Sequence, residues 1–129
     1  MRKTKLFVLV SLCAVVMACA VTKAPQINPE TQWRLNTVSQ LTDLQNDYLR
    51  FFKDVGDAQR AGILNADQVA SLVAIGNRAK PVIESANREW KAYAAAPSSD
   101  KRQQITNLLL EGTQIMLEAT TSRSTMGGQ

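Results

Sequence analysis

With 129 residues, two cysteines, no histidine and a formal charge of +4, the chain has material for one modest hydrophobic core and not for two. The lack of histidine excludes imidazole acid–base catalysis and the usual histidine-containing zinc sites. The positive charge sits mostly at the start: without residues 1–18, twelve Lys and Arg face eleven Asp and Glu, too even a balance for a nucleic-acid surface.

Arg2, Lys3 and Lys5 form a basic head, followed by an apolar run of 13 residues from Leu6 to Ala18. That is the length of a signal peptide; a membrane-spanning helix needs about 20 residues. Read on to Val21, the run reaches only about 24 Å at about 1.5 Å per residue, against a hydrocarbon core of about 30 Å. Ala18-Cys19-Ala20 fits an ordinary signal peptidase cutting before Val21. Val16-Met17-Ala18-Cys19 fits a second processing chemistry and resembles the box of bacterial lipoprotein precursors: an aliphatic residue, a loosely constrained one, a small one, then cysteine. Met17 is the less usual occupant of its place. Cys13 is no alternative acceptor, because Leu12 before it is large.

The resemblance covers the leader and Cys19 only. It implies a cleaved residue 1–18 segment and a diacylglycerol thioether on Cys19, often with a third acyl chain on its amine. Two or more chains hold a protein stably on a membrane where one does not. Ala20 is not the Asp that retains such proteins in the inner membrane of enteric bacteria, so the resemblance implies an outer-membrane anchor facing the periplasm. Cleavage before Val21 would instead give a secreted periplasmic protein. Either way no disulfide is available, since Cys13 leaves with the leader.

Residues 19–28 lack periodicity and read as a tether. Asn28-Pro29-Glu30 offers an N-cap, a first-turn proline and a carboxylate near the helix start. The first helix is expected over about 29–61, with Leu41, Leu44, Tyr48, Phe51, Val55 and Ala58 on one stripe. Gly62 is its left-handed stop, with Ile63 placed to fold back on the last turn.

Asn65-Ala66-Asp67-Gln68 resembles a capping box, with Leu64 and Val69 at staple positions. The second helix is expected over about 66–95, its buried stripe passing through Val69, Leu72, Gly76, Ala79, Ile83, Ala86, Trp90 and Tyr93. Pro81 inside it should kink it, and Gly76 with Pro81 makes a candidate hinge. Ser99 or Asp100 then caps a third helix over about 100–121, whose buried face carries Ile105, Leu108, Leu109, Gly112, Ile115, Met116 and Ala119. Residues 123–129 read as a flexible tail. The fold class is therefore all-α, an up-down-up three-helix bundle of antiparallel hairpins over residues 29–122 after a cleaved leader.

Three surface features stand out. Asp43, Asp47, Asp54 and Asp57 line one side of helix one with Arg50 among them; calcium wants six to eight oxygens on a turning loop, so a solvated flank is the simpler reading. Trp33, Trp90 and Tyr93 should gather at one end of the bundle and cap the core. Leu110 and Leu117 lie seven residues apart on a face about 140° from the buried stripe, at 100° per residue, and are the candidate interaction surface, for an envelope partner, for self-association or for contact with the bilayer. No catalytic residue, metal-ligand set or cofactor motif is found. The sequence points to a non-catalytic envelope lipoprotein acting as a membrane-tethered helical module. The alternatives are a secreted helical carrier of a small apolar ligand, marked by an interior cavity of about 300 Å³ or more, and a phage-encoded envelope or lysis-associated lipoprotein.

Overall fold

The computed structural model describes residues 26–128; the leader, Cys13 and Cys19 with its expected lipid lie outside the described residues. Within them every regular element is a helix: α1 (Pro29–Arg60), α2 (Ala66–Asn77), α3 (Ala79–Ala95) and α4 (Ser99–Gly127). The chain is all-α, and none of these helices is long and apolar enough to cross a membrane.

Local chemistry sets the helix ends. At the start of α1 the Glu30 amide donates to Asn28 Oδ1 at 2.9 Å, which satisfies an amide with no partner inside the helix. At its other end Gly62 adopts φ 73°, a backbone conformation that costs glycine little. The Ile63 amide then reaches the Ala58 carbonyl at 2.9 Å and the Gly62 amide the Gln59 carbonyl at 3.1 Å, the paired bonds of a Schellman stop. Ile63 itself turns out to be exposed, and it is Leu64 that enters the core. Asn65, next in the chain, is extended at φ −84°, ψ 171°.

The capping box forms in full. The Gln68 amide donates to Asn65 Oδ1 and the Asn65 amide to Gln68 Oε1, both at 2.9 Å. The expected single second helix is divided at Arg78, between α2 and α3. Pro81 has no amide to offer the Asn77 carbonyl four residues back, and its ring crowds that carbonyl, so the break falls upstream of the proline. Arg78 keeps helical dihedrals (φ −65°, ψ −27°), and its amide takes the tighter bond to Ile75 O at 3.1 Å. Ser98, one residue before the first of the two expected caps, starts α4: its side chain accepts from the Lys101 amide at 3.2 Å.

Helix α4 continues to Gly127, past the expected stop at Thr121. The Ser/Thr-rich end holds because Ser124 Oγ and Thr125 Oγ1 donate back to the Thr120 and Thr121 carbonyls at 3.1 and 2.8 Å, while Met126 packs against the core.

From Trp33 onward one apolar cluster joins all four helices, with Phe51 and Val55 from α1, Leu72 from α2, Ile83 and Ala86 from α3, and Ile105 and Met116 from α4 among its members. Two glycines set how closely helices approach. A Cβ on Gly76 would lie 2.7 Å from Phe51 Cε1, and one on Gly112 would lie 2.6 Å from Leu44 Cδ2; each is a seat for an α1 side chain. Tyr48, Val69, Trp90 and Leu108, read as core, are only partly buried at its edge. Thr37 is buried in addition.

Candidate functional site

The two leucines singled out above project from α4 into solvent, with Leu110 59% and Leu117 65% exposed. They do not stand alone. Counting along α4, Gln103, Thr106, Leu110, Thr113, Leu117, Thr120 and Ser124 follow one another at alternating steps of three and four, the spacing of a single helical seam. The threonines in it spend their donors locally: Thr106, Thr113 and Thr120 donate to the Arg102, Leu109 and Met116 carbonyls at 2.9, 2.7 and 2.9 Å. With the hydroxyl committed to the helix's own backbone, the methyl is the group left for a neighbour.

This seam forms one wall of a groove between α1 and α4. One cleft of about 480 Å³ is lined by Asp43, Leu44 and Asp47 of α1 and by Leu109, Leu110 and Met116 of α4. A second of about 490 Å³ continues it past Phe51 and Asp54 to Leu117 and Arg123. The two share Asp47, Thr113 and Met116, so they are one open trough with an apolar floor. Between Thr106 and Ser124 it extends for about 27 Å at about 1.5 Å per residue.

Asp43, Asp47 and Asp54 of α1 line the opposite wall, and the members of the aspartate row differ. Asp57 receives Lys53 Nζ at 2.7 Å and is also bonded by Arg60, and these donors hold its carboxyl below the usual carboxylate range. Asp54 pairs across the groove with Arg123, whose Nε lies 2.8 Å from Asp54 Oδ2. That approach is a charge contact and leaves the nitrogen without a well-formed hydrogen bond. Asp47 has only Arg50 at 3.9 Å. Asp43 makes no ion pair among the described residues. No cation lines the Asp43 end of the trough, so the trough is acidic there and mixed in charge at the Arg123 end. No group of three or more acidic or cysteine side chains among the described residues is placed to hold a metal ion.

The remaining candidates are placed as follows. Trp33, Trp90 and Tyr93 do come together, with ring centroids 4.9 to 6.0 Å apart. Arg102 lies over the Trp33 ring at 4.6 Å and Arg34 over Tyr93 at 5.1 Å, so cations close this aromatic cluster from outside. Gly76 is buried under Phe51 and Phe52. Pro81 is exposed and borders a polar cleft of about 510 Å³ with Arg78, Glu111 and Glu118. Arg78 grips both oxygens of Glu118 on α4, at 3.0 and 3.1 Å.

Sequence reasoning missed the trough, since it treated the leucine pair and the aspartate row as separate features. The threonines at seven-residue intervals were the available signal. It also missed three exposed apolar residues on one face of α1, Leu35, Val38 and Leu49. No protein-family model, curated protein or solved structure matches this chain.

Proposed function

We propose that the chain is a small, non-catalytic lipoprotein of the bacterial cell envelope. Lipid on Cys19 holds it to the membrane, in the outer membrane facing the periplasm. Its body, arranged as an up-down-up three-helix bundle with the middle helix broken at Arg78, serves as a module for protein–protein interaction or structural support. The observation that carries this reading is the leader, a basic head and a 13-residue apolar run ending in Val16-Met17-Ala18-Cys19. An exposed apolar seam beside an open trough supports the interaction role, because solvent-facing leucines stacked along a helix cost solubility unless something covers them. A carrier of apolar ligands is less well supported: the three clefts described, of about 480 to 510 Å³, are open troughs and hollows on the surface.

Growth of a producing bacterium with an alkyne-tagged palmitate tests the anchor. The wild-type protein should carry the tag, C19S should carry none, and C13S should carry it as the wild type does. Tagging that survives C19S overturns the lipoprotein reading.

A further inference from the structure

We propose that the α1–α4 trough is the seat of one amphipathic helix from a partner protein, a helix with apolar residues at three-four spacing and lysine or arginine along one flank. The inference rests on the docking role proposed above and deepens it, but it does not depend on the lipid. Shape comes first. A trough about 27 Å long, floored by Leu44, Phe51, Leu109 and Met116 and edged by Leu110 and Leu117, matches some five turns of helix. Anchors at i, i+3, i+4 and i+7 are how a helix fills such a groove. The threonines, whose hydroxyl hydrogens already bond the helix backbone, ask no acceptor of the occupant and turn their methyls to it.

Charge then selects the occupant. Asp43 has no ion-pair partner among the described residues, Asp47 has only a distant one at 3.9 Å, and no cation lines that half of the trough. A basic flank laid along this wall gains two carboxylates, and opposite charges at an interface rim choose the partner and speed its arrival. The same distribution argues against a second copy of this chain. The Asp43 end of the trough holds Asp43 and Asp47 and no cation. Pairing that end with itself sets carboxylates against carboxylates.

The test uses the purified protein in phosphatidylcholine nanodiscs, with empty discs as the blank. The probe is a fluorescent peptide of about 20 residues, long enough for about 30 Å of helix, with leucines at three-four spacing, lysines along one flank and one photoreactive leucine. A second peptide has glutamates for the lysines. The lysine peptide should bind and cross-link to residues within 40–54 and 106–124, and the glutamate peptide should bind at least about tenfold more weakly. L110S/L117S and D43N/D47N should each weaken the lysine peptide by about tenfold or more. These four residues are exposed, so both variants should unfold at the wild-type temperature, which calorimetry checks.

Equal affinity for the two peptides, or cross-links elsewhere, overturns the proposal. So does a dimer in sedimentation that L110S/L117S dissociates, which would make a second copy the occupant. None of these outcomes touches the anchor, which the palmitate tag reports separately.

Discussion

F51A should cost about 3–5 kcal/mol of stability, the range for removing a large buried aromatic side chain. Phe51 is 3% exposed, stands edge-on to Phe52 with centroids 5.4 Å apart, and fills the space above Gly76. Nothing at that site can collapse readily into the void, because its other side is the backbone of α2. For a domain with total stability of 5–15 kcal/mol, the loss is a large share, and the melting temperature should fall on the order of 20 °C. Urea unfolding followed by circular dichroism at 222 nm measures it. L49A, on the same helix but at a 64% exposed position, should change stability by less than about 0.5 kcal/mol. A cost below about 1 kcal/mol for F51A would mean that α1 does not seat on α2 as described.

The second large effect is the converse, overfilling the same seat. G76L should destabilise by about 3 kcal/mol or more, the upper end for forcing extra atoms into a packed core. A Cβ alone would sit 2.7 Å from Phe51 Cε1 and 2.9 Å from Phe52 Cζ, and a leucine adds three further carbons in the same direction. Backbone conformation is not the reason for glycine here, since Gly62 is the only described residue with positive φ. G56A makes the contrast. Its Cβ would meet only the mobile end of Arg60 at 3.7 Å, so the helix-propensity gain of up to about 1 kcal/mol should appear as added stability. Because Gly76 and Phe51 share one contact, G76L and F51A should be non-additive, and the double variant should be less unstable than the two losses combined. Stabilisation by G76L would remove the close approach of α1 and α2 from the description.

The contrast between these glycines also indicates what was legible in the sequence. Helix ends were, where one residue's chemistry decides them: Gly62 stops α1 and Asn65 with Gln68 starts α2, as their types require. The buried stripes were legible too, because periodicity alone selects one face of a helix, although Thr37 was passed over as polar despite lying four residues before Leu41 on that face. The end of α4 was misread. Its serines and threonines suggest fraying, and what holds them is tertiary: Arg123 reaching Asp54 on α1 and Met126 meeting the core. For the same reason the trough was only half visible. Leu110 and Leu117 announce an apolar seam on their own helix, but which flank of α1 lies beside them depends on how the two helices are rotated about their axes. The aspartate row gains its meaning only from that neighbour.

The leader bears on the central claim, and the intact mass of the protein purified from bacterial membranes in detergent tests it most directly. A lipoprotein gives the mass of residues 19–129 plus two or three acyl chains. An unmodified mass beginning at Val21 would contradict the anchor and make the chain a free secreted helical protein.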